Sequence, residues 1–205
     1  MHVNRRDFVV GTTAAVGALA LPLQLAAQPA DADRREQQIL QLAHRQLMRA
    51  GATVPHHDRV GVADLGVHSL EVRFHVADLK SGSVSSFRVA HGTGSDPENS
   101  GWLTHFSNMI GSNASSRGAY VTCEGFNGKF GNSIHLVGLD PENSNAADRS
   151  IVMHAAEYCT AAYVERWGRV GRSNGSLAMS PEDFRTVAQQ LSDGRLLYVD
   201  RVELV

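Results

Sequence analysis

Short apolar runs separated by residues that break regular structure are the feature that most constrains the fold of this chain. Seven such runs lie at 60–63, 73–77, 83–90, 119–123, 134–139, 151–154 and 196–199. Glycine, serine, asparagine and proline fill the segments between them, a pattern typical of strands and turns. The pattern predicts a predominantly β fold of the mixed α+β class, in which the second and third runs form a hairpin.

Two segments have the pattern of helices. Residues 34–50 carry apolar side chains at a four-residue repeat and end before Gly51, which predicts a short amphipathic N-terminal helix. The stripe consists of Ile39, Ala43 and Leu47. Residues 180–192 begin with Ser-Pro-Glu-Asp, in which serine is a favoured N-cap and proline a favoured first helical residue. The acidic residues that follow suit the helix dipole, so a C-terminal helix is predicted there.

The first thirty residues have the pattern of an export leader. A twin-arginine start at Arg5 and Arg6 precedes an apolar, small-residue stretch at 9–21. That stretch is short and rich in glycine and alanine for a membrane span, although an uncleaved N-terminal anchor is the alternative. We expect cleavage between Ala26 and Ala32, export through the twin-arginine pathway to the periplasm or cell envelope of a bacterium, and no stable membrane span afterwards.

The remainder of the chain has the length and composition of one globular domain. Of the 205 residues of the whole chain, 42% are hydrophobic and 20% are charged, and the net charge of −2 does not favour nucleic acid as a partner. The predicted organisation is a leader at 1–30, an N-terminal helix and connector at 31–57, and a single domain at 58–205. The oligomeric state stays open.

The chain contains two cysteines, Cys123 and Cys159. An even number in an oxidising compartment permits one disulfide, and two small buried thiols are the alternative. A metal site has less support, because neither cysteine belongs to a Cys-x-x-Cys motif or lies near a histidine pair. The spacing does not decide between a disulfide and free thiols.

His154 and the loop at 171–176 are the candidate functional residues. His154 ends an apolar strand, where an imidazole could lie at the rim of a cleft and act as a base. The loop has two glycines that permit a tight turn, Arg172 as a charged fork for a carboxylate, and the hydroxyls of Ser173 and Ser176. Each segment taken alone is more typical of an ordinary strand end and an ordinary Gly/Ser turn.

Together the two segments resemble the paired motifs of the L,D-transpeptidases of bacterial peptidoglycan. The similarity is to the YkuD-like branch, whose second motif reads Gly-Arg-Ser-x-Gly-Cys-Pro-Ala. The matching residues are Ile-Val-Met-His-Ala at 151–155 and Gly-Arg-Ser-Asn-Gly-Ser-Leu-Ala-Met at 171–179. Further segments that resemble this branch lie at 87–95, 106–108, 112–120 and 127–139. The resemblance covers residues 58–199, nearly the whole chain after the leader.

The resemblance implies a β-rich fold around the catalytic loop and an enzyme that acts on peptidoglycan stem peptides without a metal or cofactor. In such enzymes a cysteine thiolate attacks the carbonyl at the L centre of an L,D bond, and the acyl group passes to the amine of a neighbouring stem. By this resemblance Ser176 occupies the nucleophile position and His154 takes its proton. Backbone N–H groups around Gly175 and Ser176 would stabilise the oxyanion. The residues assigned to substrate binding are Arg172, Ser173 and Asn174.

Ser176 departs from the motif, which has cysteine at that position. A thiol next to a histidine readily forms a thiolate, whereas a serine hydroxyl needs a base that is itself oriented by a third group. A thousandfold loss of rate corresponds to about 4 kcal/mol of barrier. We therefore expect weak or absent acyl transfer, the alternative being a non-catalytic peptidoglycan-binding or regulatory protein on the same fold. A third alternative is that the serine was introduced by mutation. Asn174 and Leu177 are lesser departures.

Residues 92–116 are rich in glycine, serine, asparagine and threonine, which predicts a long ordered loop. Its isolated apolar anchors are predicted to be Trp102, Phe106 and Met109. Such a loop could cover the cleft, or it could be a purely structural loop. Neither His91 nor His105, which lie next to and within it, is assigned to a metal.

Overall fold

A computed structural model describes residues 29–129 and 131–202 of the chain. Apart from its last two residues, the leader predicted at 1–30 lies outside the described residues. The helices are α1 (Pro29–Ala50), α2 (Ala161–Trp167) and α3 (Pro181–Leu191). The strands are β1 (His56–Asp64), β2 (Phe74–Asp78), β3 (Ser83–Phe87), β4 (Gly118–Gly128), β5 (Gly131–Gly138), β6 (Val152–Ala155), β7 (Leu177–Met179) and β8 (Arg195–Asp200).

These strands form one mixed sheet in the order β3-β2-β1-β8-β4-β5-β6-β7. β8 runs parallel to β1, β7 runs parallel to β6, and the other neighbours are antiparallel. Just after β3, the N–H of Ala90 donates to the carbonyl of Ala178 on β7 at 2.8 Å. The chain that leaves β3 at one end of the sheet therefore meets β7 at the other end and partly covers its edge. The expected fold class, predominantly β within the mixed α+β class, is confirmed.

The predicted hairpin is confirmed as β2 and β3, which pair antiparallel from Phe74 opposite Phe87. Its turn is stabilised by Asp78, whose carboxylate accepts the backbone N–H groups of Lys80 and Ser81, each at 3.0 Å. This is the local side-chain-to-backbone bonding that makes aspartate a preferred turn residue.

Helix α1 packs on one face of the sheet and begins earlier than the sequence pattern indicates, at Pro29. Its buried side chains are Ile39, Leu42, Ala43 and Leu47, which contact apolar residues of β1, β2 and β8. Near its end, Arg49 donates to both carboxylate oxygens of Asp140 at 2.7 and 2.9 Å. Over the described residues, no helix combines the length and apolarity needed to cross a bilayer.

Helix α3 packs into a second core cluster and begins where the sequence predicts. The Ser180 hydroxyl accepts the Asp183 N–H at 3.1 Å, and Pro181 is the first helical residue. Its buried residues are Phe184, Val187 and Leu191, which pack with apolar residues of β1, β2, β5, β6 and β7. The sheet therefore has apolar contacts on both faces, with α1 in one cluster and α3 in the other.

Two elements were missing from the prediction, α2 and β7. Helix α2 has an N-cap, since the Thr160 hydroxyl accepts the Tyr163 N–H at 3.4 Å, and it ends at Gly168, which has a φ of 65°. Seven residues are too few for a clear helical periodicity. Strand β7 has only three residues and directly follows the loop at 171–176, and three residues are too few for the alternation of a strand to be recognised.

The long loop is anchored differently from the prediction. Phe106 does pack against the core, but Trp102 and Met109 are 52% and 71% exposed. The buried apolar anchor is instead Leu103. Backbone and hydroxyl hydrogen bonds of Ser95 join it to Gly92, Thr104 and Ser115, so polar contacts connect the start, middle and end of the loop.

The two cysteines are both free thiols, so the disulfide left open by their even number is not formed. Cys159 is buried, and its thiol donates to the Ala178 carbonyl at 3.4 Å. Burial raises the pKa of the Cys159 thiol to about 12, so this cysteine fits the alternative of a buried free thiol. Cys123 is half-buried on β4.

Candidate active site

A cavity of about 450 Å³ lies where β6 meets the segment between α2 and β7. It brings together five of the six residues that the sequence analysis assigned to the site, namely His154, Arg172, Ser173, Asn174 and Ser176. Among the described residues, its lining also includes Arg149, Ser150, Ala155, Ala156, Glu157 and Tyr158. Gly175, the sixth assigned residue, is buried next to Ser176 and is not part of the lining.

The pairing of β6 with β7 places His154 near Ser176. The strands are parallel, with Met153 opposite Leu177, so Ser176 precedes β7 and lies beside Val152 at the start of β6. Both side chains are buried. The backbone N–H of Val152 donates to the Ser176 hydroxyl oxygen at 3.2 Å. The hydroxyl is therefore oriented by the strand that carries the histidine.

The His154 ring is held in one tautomer. Its Nδ1 lies 2.9 Å from the Ala155 carbonyl, which can only accept, so Nδ1 carries the proton and Nε2 the lone pair. Burial lowers the pKa of His154, and the hydrogen bond to Ala155 offsets this only in part. A neutral imidazole at neutral pH can accept a proton through Nε2. In a Ser-His-Asp triad a carboxylate faces the Nδ1 position, and a neutral carbonyl stabilises the resulting imidazolium less well.

Ser173 is bonded within its own loop. Its hydroxyl donates to the Ser176 carbonyl and accepts the Gly175 N–H at 3.2 Å. Its own N–H donates to the His91 carbonyl at 2.9 Å. The Gly175 amide, which the family resemblance assigns to the oxyanion, is thus engaged inside the loop in this structure.

The start and end of the long loop contact the nucleophile loop (residues 171–176) backbone to backbone. A Cβ on Gly92 would lie 2.2 Å from the Asn113 carbonyl oxygen and 2.7 Å from the Gly175 Cα. The Ser115 hydroxyl accepts the Gly92 N–H at 3.0 Å and donates to the Gly175 carbonyl at 3.2 Å. Gly175 itself has a φ of 109°, which favours glycine. The long loop therefore supports the nucleophile loop.

Gly92→Ala is expected to destabilise the protein by about 3 kcal/mol, because the new methyl group would collide with backbone atoms that cannot move independently. Urea unfolding measures the loss. Gly125→Ala is the matched control, since the nearest atom to its Cβ would be 3.9 Å away. Equal stabilities of the two variants would contradict the close approach of the loops.

Two of the assigned substrate-binding residues lie at the open side of the cavity. Arg172 donates through Nη1 to the carbonyls of Asp96 and Pro97, so one edge of its guanidinium is tied to the long loop. Asn174 is exposed. Among the described residues of the lining, Arg172 and Arg149 are cationic and Glu157 is acidic. This balance favours a ligand with a carboxylate.

Behind the nucleophile loop lies a buried polar network that the sequence analysis missed. Arg73 is fully buried and donates to the carbonyls of Val67 and Val89 and, at 2.8 Å, to Nδ1 of His91. Nε2 of His91 lies 3.4 Å from the Asp96 carboxylate. Burial, reinforced by the charge of Arg73, lowers the pKa of His91 to about 4. These effects outweigh the attraction of Asp96, so His91 is neutral and donates to Asp96 through Nε2.

Over residues 29–129 and 131–202, no group of three or more His, Cys, Asp or Glu side chains is placed to hold a metal ion.

The family model for the L,D-transpeptidase catalytic domain matches residues 31–199. This chain belongs to that family. The match covers the long loop, the cavity and both segments that the sequence analysis compared with the family's motifs. No curated protein matched the sequence.

Three solved structures illustrate the likeness. An L,D-transpeptidase from Mycobacterium smegmatis is 15% identical, with a TM-score of 0.43 over 70% of this chain and 58% of that one. One from Mycobacterium tuberculosis is 15% identical, with a TM-score of 0.45 over 70% and 57%. The helical cell shape determining protein from Campylobacter jejuni is 11% identical, with a TM-score of 0.45 over 82% and 57%. This chain thus spans less than two thirds of each of these structures, and family membership rests on the family model.

Proposed function

We propose that this chain is an exported protein of the bacterial cell envelope that binds peptidoglycan stem peptides in its cavity, and whose acyl transfer through Ser176 is slow or absent. Family membership supports a peptidoglycan-related function, and the pattern at Arg5 and Arg6 supports twin-arginine export. The observation that carries the proposal is the hydroxyl group of Ser176. Ser176 lines the same cavity as His154, at the position where the family motif has the thiol of a cysteine.

The volume and charge of the cavity suit a peptide with a free carboxylate. A volume of about 450 Å³ lies within the range of small-ligand sites. A stem peptide has a C-terminal carboxylate, for which the lining offers Arg172 as a cation. Arg149 adds positive charge to the lining, but both of its Nη atoms already donate to the long loop.

Acyl transfer through Ser176 would require attack of its oxygen on the peptide carbonyl while Nε2 of His154 takes the hydroxyl proton. The charge that develops on the ring would face a backbone carbonyl at Nδ1. A neutral partner assists proton transfer less than a carboxylate does, so the barrier is expected to be high. This geometry supports the proposal of slow transfer.

A non-catalytic binding or regulatory function is the second candidate. It is favoured by the hydrogen bonds inside the nucleophile loop, because the Gly175 N–H is occupied by Ser173 and is not directed at a substrate. Under this alternative the protein would bind peptidoglycan with no turnover at all.

We expect the protein without its leader to bind intact sacculi and tetrapeptide muropeptides, while mass spectrometry finds little or no crosslinked product and little or no acyl adduct on Ser176. Arg172→Gln is expected to weaken tetrapeptide binding about tenfold, which corresponds to about 1.4 kcal/mol. Arg169→Gln is the matched control, since Arg169 bonds to the Trp167 carbonyl and is not part of the cavity lining. Absence of binding would refute the proposal, and efficient crosslinking by the Ser176 protein would refute slow transfer.

A further inference from the structure

Arg149 holds the end of the long loop. Its Nη1 donates to the Ser107 carbonyl at 2.8 Å and to the Ser116 hydroxyl at 3.2 Å. Its Nη2 donates to the Ser112 hydroxyl at 3.3 Å and to the Ala114 carbonyl. The side chain is half-buried and also lines the cavity. Burial lowers the pKa of Arg149, but an arginine side chain stays protonated in proteins, so Arg149 is a cation.

The same guanidinium lies against the nucleophile loop. A Cβ placed on Gly175 would be 2.8 Å from the Ala114 carbonyl oxygen and 3.1 Å from Nη2 of Arg149. Ser115, the next residue of the long loop, donates from its hydroxyl to the Gly175 carbonyl at 3.2 Å. Arg149 and the segment that it holds therefore form the back wall of the nucleophile loop.

We propose that Arg149 is a positioning residue that fixes the nucleophile loop and neutralises the Ala114 carbonyl behind it. The carbonyl oxygen carries partial negative charge close to Gly175, where negative charge would repel an oxyanion that forms beside residue 176. The N–H that Arg149 donates to this carbonyl reduces that repulsion, and the positive charge of the guanidinium attracts the oxyanion. The electrostatic part of this inference rests on the proposed function, whereas the fixing of the loop does not.

Arg201 provides a matched comparison within the same long loop. Its Nη2 donates to the carbonyls of Leu103 and Thr104 at 2.7 and 2.6 Å. Both arginines thus hold backbone carbonyls of this loop, but of the two only Arg149 lines the cavity. Removing the Arg201 side chain therefore shows the effect of loosening the long loop alone, without a change in the cavity lining.

Amide hydrogen exchange of the Ser176 protein tests the fixing of the loop. Arg149→Gln is expected to speed exchange at both 107–116 and 171–178, whereas Arg201→Gln speeds it only around Leu103 and Thr104. Arg149→Lys should restore part of the protection. Unchanged exchange at 171–178 in a folded Arg149→Gln variant would overturn the proposal, whatever the protein's activity.

The electrostatic part is tested in the Ser176→Cys protein by its acylation with a carbapenem. Arg149→Gln is expected to slow acylation about tenfold or more, with tetrapeptide affinity changed less than the rate, and Arg149→Lys should recover part of the rate. Arg201→Gln should leave the rate close to that of the parent. Equal slowing by both glutamine variants would overturn the proposal. If Ser176→Cys is never acylated while the exchange results hold, the proposed function fails and the fixing of the loop stands.

Discussion

Ser176→Cys is expected to turn the cavity into a site that forms a thioester, with acylation at least about a thousandfold faster than in the Ser176 protein, or about 4 kcal/mol of barrier. A thiol has a pKa near 8.5 and forms a thiolate next to a histidine far more readily than a hydroxyl forms an alkoxide. The Val152 N–H, which donates to the serine oxygen at 3.2 Å, would then donate to sulfur and stabilise its negative charge.

The proton transfers of this reaction use His154, which already lines the cavity with residue 176. His154 takes the thiol proton at Nε2, sulfur bonds to the carbonyl carbon of the donor peptide, and the carbon–nitrogen bond breaks as the leaving amine receives the proton from His154. Attack by the amine of a second stem then releases the crosslinked product and the thiol. With a carbapenem, the opening of the β-lactam ring stops the sequence at the acyl enzyme.

Mass spectrometry of the intact protein and of its peptides measures the outcome. The parent protein is an internal control, since it already contains Cys123 and the buried Cys159, so an adduct must map to position 176. Adding His154→Gln to Ser176→Cys should remove most of the gain. The prediction fails if Ser176→Cys stays unacylated, or if the double variant reacts as fast as the single one.

The regular elements could be predicted because their causes are local. The Asp78 turn, the α1 stripe and the Ser180 cap each depend on residues within a few positions of one another. The sequence resemblance also brought His154 and Ser176 to the same region, and the parallel pairing of β6 with β7 supplies the structural reason.

The polar supports of the site could not be predicted because their partners are distant in sequence. Arg73 lies 18 residues from His91, and Arg149 lies 35 residues from Ala114. Only the arrangement of the strands brings such pairs together, and no local pattern distinguishes these arginines from solvent-exposed ones. Hydrophobicity was similarly misleading for Trp102, which is large and apolar but half exposed.

Acid is expected to destabilise the protein through two buried histidines, His75 and His91. Burial, with a contribution from the charge of Arg35, lowers the pKa of His75 to about 4. Burial and the charge of Arg73 lower that of His91 to about 4. In the unfolded chain a histidine has a pKa near 6.5, so between pH 6.5 and 4 the unfolded state binds more protons.

The free energy of unfolding therefore keeps the full contribution of the two neutral histidines above pH 6.5, and it falls as the pH decreases towards 4. Protonation of each histidine in the unfolded chain is expected to lower the free energy of unfolding by roughly 3 kcal/mol over that interval. Urea unfolding at pH 7, 6, 5 and 4.5 measures the free energy of unfolding. Asp96, whose carboxyl pKa is also below its usual range, adds to the loss only below pH 4, where the unfolded carboxylate becomes protonated.

His75→Gln separates this effect from general acid denaturation. Glutamine can keep a hydrogen bond with Ser86, whose hydroxyl lies 2.8 Å from Nδ1 of His75, and it cannot bind a proton in this range. The variant should therefore be less stable than the parent at pH 7 through imperfect packing, yet lose about 3 kcal/mol less between pH 7 and 4.5. His44→Gln, at an exposed position of α1, should leave the parent's pH dependence unchanged. If the free energy of unfolding falls equally steeply with decreasing pH in the parent and in His75→Gln, then His75 is already protonated in the folded protein. Only a histidine that is neutral in the folded state and protonated in the unfolded state favours unfolding in acid.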